Sequence, residues 1–188
     1  MMTGSEQSIY TSTHLLAGFV ADDAISILRE DHRRIDGLFL QFEKARGSEL
    51  KAELAHRICT ELLIHGHVEN EIFYPALREA MDVDDLMDEA DVEHATAAHL
   101  IAEIMSVRPG ADHYDAKVKV LAGYVRHHVQ QEQNRMFSKA RQARLDMRAL
   151  GEQIVERKKE LQAVSSRYQP LGVRPIAASG ALQMEGAL

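Results

Sequence analysis

His65 and Glu69 stand four residues apart in the stretch ELLIHGHVENEIFYPAL, residues 61–77. His128 and Glu132 repeat that spacing in YVRHHVQQEQNRMF. Four residues is about one helical turn, so each pair lies on one helix face. His32 and His94 stand singly in runs of apolar residues. Imidazole nitrogen and carboxylate oxygen are lone-pair donors, and a set of four and two converging on one place suits a cation. A cation also answers an energetic problem. Burying a carboxylate without compensation is costly, and a metal ion supplies the missing positive charge and takes the lone pairs.

Convergence requires helices that turn these six residues inward at one depth. The composition favours helix: Trp is absent, aromatic residues are 5%, prolines number 4, and 45% of residues are hydrophobic. Four long helices are expected. The first begins at Asp22 or Asp23 as cap and ends at Gly47, the second is capped by Ser48, and Pro75 disturbs the second near its end by pushing Tyr74 from helical angles. The third covers residues 83–106, the segment RPGAD breaks the chain, and the fourth covers residues 114–140. Short loops between four helices predict an all-α, up-down-up-down four-helix bundle. An additional amphipathic C-terminal helix follows, either covering one side of the bundle or making a homodimer contact. The expected divisions are an arm over 1–20, the bundle over 21–140, the C-terminal helix over 141–164 and a flexible tail over 165–188.

Alternating steps of three and four mark the inward seam of each helix. The seams read Ile25, Leu28, His32, Ile35, Phe39, Phe42; then Leu54, Ile58, Leu62, His65, Glu69, Ile72; then Val83, Met87, Ala90, His94, Ala97, Ile101, Ile104; then Val118, Leu121, Val125, His128, Glu132, Arg135. With turns near residues 47, 80 and 109, the histidines and Glu69 stand 11 to 19 residues from their turns. At about 1.5 Å per residue this places the six groups in one layer. The metal set is therefore His32, His65, Glu69, His94, His128 and Glu132. A pair of irons with bridging carboxylates fits such a mixed set, and a zinc pair or a single metal fits it less naturally.

The remaining candidates lie off the seams. His67 and His99 read as surface groups, His127 as exposed or as an outer partner of a ligand, and His56, His113 and His14 as off every seam. Glu71 is a candidate acceptor for a ligand imidazole, and Tyr124 a candidate donor to a bound oxygen species. Arg135 could pair with Glu132. No nucleophile triad, Gly-rich phosphate loop or Cys-x-x-Cys is present. Net charge is −7, which argues against nucleic acid as partner. No run reaches the length of a membrane span. The single cysteine, Cys59, makes no internal disulfide, and a reducing cytoplasm is the expected location.

The order His32, His65-x-x-x-Glu69, His94, His128-x-x-x-Glu132 resembles the hemerythrin-like, or HHE cation-binding, family. So do the flanking segments EDHRRIDGLF, ENEIFYPAL and VEHATAAHLIAEI, over about residues 22–140. LGEQIVERKKEL resembles the family's C-terminal extension. The resemblance implies a non-heme diiron centre, two Fe ions bridged by oxo or hydroxo groups and by carboxylate, held by the six residues above. Oxygen carriers of the family have a seventh ligand where this chain has Ala90. The chain is thus similar to the shorter-liganded branch, linked to iron handling, peroxide or nitric-oxide chemistry and stress responses. The implied roles are binding of dioxygen, peroxide or nitric oxide, a peroxide- or nitric-oxide-detoxifying enzyme, or an iron sensor or store. The family often has Glu at Asn70 and Pro at Ser138, neither of which is expected to touch a ligand.

Overall fold

The computed structural model describes residues 23–165, and within them every regular element is helical. The expected arm, the tail beyond Ser165 and His14 lie outside these residues. Helix α1 (Ala24–Lys44) starts where the Asp23 carboxylate accepts a hydrogen bond from the Ser26 amide at 2.9 Å. Helix α2 (Ser48–Val68) runs into a π-helical turn at Glu69–Phe73 and then α3 (Tyr74–Ala80). Ser48 is the first helical residue and the cap position belongs to Gly47, whose φ of 83° suits glycine. Helix α4 (Asp84–Ser106) follows. Helix α5 (Tyr114–Gln131) meets a second π-helical turn at Glu132–Met136 and continues as α6 (Phe137–Gln142). Helix α7 (Met147–Ser165) closes the described chain.

Each helix of the bundle packs against its chain neighbours. α1 lies against α2 and α5, and α4 against α2 and α5, so the ring closes as an up-down-up-down four-helix bundle. α7 lies across α1 and α2 on the outside, with Ile154 fully buried. The additional helix therefore covers a side of the bundle.

The core comes in two pieces. One contains Ile35, Phe39, Ile58, Leu62, Ile104 and Leu121. The other contains Leu28, Phe73, Leu77, Met87, Phe137 and Ile154. On α1 the boundary between them falls between Leu28 and Ile35, at His32. Burial of each large side chain stabilises the fold by about 1.5–3 kcal/mol, so both ends are firmly packed and the layer between them is held in place.

The two π turns correct the expected seam. Each begins at a glutamate of the candidate set. The Tyr74 amide donates to the Glu69 carbonyl, and the Phe137 amide to the Glu132 carbonyl, five residues back in both cases. The extra residue per turn slips the inward face by one position. Phe73 is buried where Ile72 was expected, and Met136 where Arg135 was expected. The wider turn also explains Pro75. Tyr74 keeps helical angles (φ −67°, ψ −42°), because the helix is already opened just before the ring that would otherwise strike the preceding turn.

The register slip separates neighbouring residues energetically. Phe73→Ala should destabilise the protein by about 3–5 kcal/mol. Ile72→Ala should cost less than half as much, because Ile72 is only partly buried. Urea unfolding of the two variants checks the order, and equal losses would contradict the slipped register.

Candidate metal centre

The structure brings all six predicted residues together in the layer between the two cores. His32 comes from α1, His65 from α2, His94 from α4 and His128 from α5. Glu69 and Glu132 open the two π turns. His32 Nε2 lies 3.0 Å from His65 Nε2 and 3.1 Å from Glu132 Oε2. His65 Nε2 lies 2.9 Å from Glu69 Oε1. On the other side, His94 Nε2 lies 3.3 Å from Glu69 Oε2 and 3.2 Å from His128 Nε2. The donor atoms form two groups: His32, His65, Glu69 and Glu132, and then Glu69, His94 and His128. Glu69 belongs to both, one oxygen turned to each. Glu132 belongs to the first alone.

These residues fit a pair of cations on two grounds. All four carboxylate oxygens of Glu69 and Glu132 are fully buried, and they face the imidazole nitrogens of His32, His65 and His94. Such carboxylates demand positive charge. The spacing of donor atoms agrees. Two atoms each about 2.1 Å from one ion, at a right angle, lie about 3.0 Å apart, and the nitrogens and oxygens above are separated by nearly that distance.

A surrounding set of polar groups fixes the rings. His128 Nδ1 lies 2.8 Å from Glu93 Oε2, His94 Nδ1 lies 3.0 Å from Asn70 Oδ1, and His65 Nδ1 lies 3.5 Å from Asp31 Oδ2. The side-chain amide of Gln133 lies 3.3 Å from His32 Nδ1. In His65, His94 and His128, a ring that donates from Nδ1 to oxygen keeps the lone pair of its inward-turned Nε2 free, whereas His32 Nδ1 accepts from the Gln133 amide. Asn70 thus touches His94, contrary to the expectation that this departure from the family wording leaves the ligands alone.

Asp31 ties the centre to the outermost helix. It is buried, and both its oxygens accept from Lys158 of α7, one of them at 2.6 Å. Arg34 also donates to it at 2.7 Å. Burial alone would raise its pKa, but the hydrogen bond with His65 and the Lys158 charge hold it down at about 2. His65 is depressed by burial but lifted further by Glu69 and Asp31, to about 9. His32 falls to about 3, through burial and then the charge of His65. Glu132 is pushed well up by burial and by Glu69. Without a cation, then, the layer carries a proton on His65.

Tyr74 is a further member that the sequence reading missed. Its hydroxyl lies 3.4 Å from His128 Nε2, beside the second donor group. Burial, then the charges of Glu69 and Glu132, raises its pKa well above the usual phenol value, so it keeps its proton. Tyr124, the expected donor, is instead largely exposed. Glu71 does not reach a ligand: it pairs with His67 at 3.1 Å and with Arg157 of α7 at 2.6 Å. Arg135 turns to Glu89 at 3.2 Å rather than to Glu132. His67, His127 and His99 are exposed, as their positions off the seam imply. His113 is exposed at the start of α5, and His56 is half-buried away from the centre.

Comparison with known proteins agrees with this geometry. The family model of the hemerythrin HHE cation binding domain matches residues 23–140. A crystal structure of a hemerythrin HHE cation binding domain-containing protein from Mycobacterium kansasii superposes with a TM-score of 0.69 at 22% identity, covering 81% of this chain and 95% of that one. A DNA nickase of a Nostoc strain is 27% identical over 115 residues, which are 61% of this chain and 32% of the relative. The chain therefore spans less than half of that relative's length. With a family match over most of its length and a His/Glu cluster at the heart of its bundle, the chain belongs to the hemerythrin HHE cation-binding family.

Proposed function

We propose that His32, His65, Glu69, His94, His128 and Glu132 hold two non-heme irons bridged by Glu69, and that the pair acts on peroxide. The observation that carries the metal reading is the four fully buried carboxylate oxygens set among four imidazoles. Iron suits an imidazole–carboxylate set, and supplies reversible one-electron change with coordination positions left open. Ala90, fully buried, occupies the place of the extra histidine of the oxygen carriers and offers no donor atom. The Tyr74 hydroxyl beside the second group favours peroxide over dioxygen carriage or nitric oxide. Cleaving an O–O bond consumes protons, and a buried phenol that retains its proton can deliver a hydrogen bond there. The nickase name of the partial relative is not extended to this chain, whose net charge of −7 disfavours a phosphate surface.

The test is metal content and visible spectrum of protein from iron-supplemented cells. About two irons per chain, with the absorption of an oxygen-bridged ferric pair bleached by reduction and restored by hydrogen peroxide, is expected. Zinc, a single metal or none would defeat the diiron reading. Glu69→Ala should lose both ions, Glu132→Ala should spare the ion of the His94/His128 group, and His67→Ala should leave the content unchanged. Two ions retained in Glu69→Ala would refute the bridging assignment.

Metal uptake should also release protons. His65, lifted to about 9, must give up its proton before it can ligate. Apparent affinity should therefore rise with pH up to about 9, by at least roughly tenfold per unit, since His65 must lose its proton and the raised Glu132 adds to the proton release. In the metal-free protein the sign reverses. The charged, paired His65 stabilises the fold fully below its unfolded value near 6.5, and that contribution is lost as pH rises through about 9. Calorimetric titration in buffers of different ionisation heat measures the proton count, and zero release at pH 7 would contradict a charged His65.

Lys158→Met removes the α7 cation that, with Arg34, holds Asp31 behind His65. It should weaken the ion of the His32/His65 group by about 10-fold or more, and leave the His94/His128 ion nearly intact. Lys158→Arg should restore most of the loss. Competition with a chelator resolves the two ions, and equal weakening of both would rule out this positioning role.

A further inference from the structure

A cleft of about 220 Å³ opens beside the four imidazoles, between α2, α4 and α5. One wall is aliphatic, formed by Leu62, Leu63, Ala97, Ile101, Val125 and Val129, while the imidazoles, His67, Asn70 and Glu93 give the cleft a polar floor. Hydrogen peroxide, dioxygen and nitric oxide each have two heavy atoms. A volume of 220 Å³ holds roughly seven water-sized groups, and an apolar cavity of about 150 Å³ already takes benzene. Even with the part beside the imidazoles given to the metal site, the cleft is larger than the small ligands need, and its aliphatic wall offers water no partner.

Its width is kept by small residues. Gly66 sits within α2, where glycine is a poor helix former. A Cβ there would stand 3.9 Å from His94 Nδ1, an ordinary contact, so backbone crowding does not demand glycine. What a larger side chain would do is occupy the cleft beside His94. Ala97 and Ala98 leave the facing wall open in the same way.

A second observation extends the apolar surface outward. Tyr124 lines the cleft and also a shallow groove along α4 and α5, together with Val92, Leu100 and Val120. Val92, Val120 and Tyr124 are exposed. An apolar track thus leads from the surface over Tyr124 to the imidazoles.

We propose that this cleft seats the hydrocarbon group of an organic hydroperoxide, with the hydroperoxide end at the imidazoles and a longer chain running into the α4–α5 groove. The inference rests on the peroxide reading for its ligand class, while the hydrocarbon seat stands on the cleft alone.

The test uses redox-inert primary alcohols, ethanol through decanol, titrated into the metal-loaded full chain by calorimetry. Affinity should rise about fourfold per added CH₂ until the cleft is filled near seven carbons, and then more slowly along the groove. Ala98→Phe, at an exposed position that leaves the core undisturbed, should weaken octanol at least tenfold with metal content unchanged. Ala97→Phe should do the same from deeper in the wall. A flat dependence on chain length, or octanol binding unchanged in both variants, overturns the seat. Oxidation of the reduced protein by octyl hydroperoxide and by hydrogen peroxide separates the two readings. Octyl hydroperoxide should react faster, and Ala98→Phe should slow it alone. Alcohol binding with no reaction from either peroxide would overturn the peroxide reading and with it the ligand class.

Discussion

Two carboxylates buried among imidazoles at the waist of a helical bundle are the constraint to which the rest of the structure answers. Glu69 and Glu132 are fully buried and lie between two apolar cores. Unfolded, both would be hydrated, and folding strips that hydration away at a cost no neutral neighbour can return. The four imidazoles around them are rich in lone pairs, and without a metal the charge they supply is the proton on His65. Cation binding by the family and this local shortage of positive charge are one fact seen from two sides.

The surrounding architecture holds the donors still. The apolar clusters above and below clamp the layer, and Asp31, Asn70, Glu93 and Gln133 orient the rings from behind. The arrangement is not symmetric. The His65 side is braced by a buried aspartate whose counter-charge arrives from α7, whereas the His128 side is braced by a partly exposed glutamate and adjoined by Tyr74. Two ions in such surroundings would differ in their hold on the protein and in access to protons. α7 lies beyond the span of the family match, yet it supplies the charge that steadies one half of the centre.

The bundle and its inward donors were legible because a period near three and a half residues survives in the sequence wherever the helix is regular. His32, His65, Glu69, His94, His128 and Glu132 all sit on that period. Two kinds of feature were not legible. The first is the slip at Ile72 and Arg135, because no residue type announces a π turn. Pro75 was a hint of altered backbone, and it reads equally well as a helix end. The second is the outer contacts. Asp31, Glu93 and Asn70 each adjoin a donor residue in sequence, but what they touch depends on rings from other helices. Glu71 and Tyr124 were attractive by spacing alone; Arg157 claims Glu71, and Tyr124 stands half-exposed at the cleft.

The π turns carry a consequence for anyone transplanting such a centre. Each inserts one residue at the glutamate, so that the helix below is rotated by about 100° relative to an uninterrupted one. The two ends of the bundle are in this sense out of phase, coupled through a gear at the metal layer. A designer who copied the six donors onto ideal straight helices would aim the residues at Ile72 and Arg135 inward and leave Phe73 and Met136 facing water. The graft would hold its donors and lose one of its two cores.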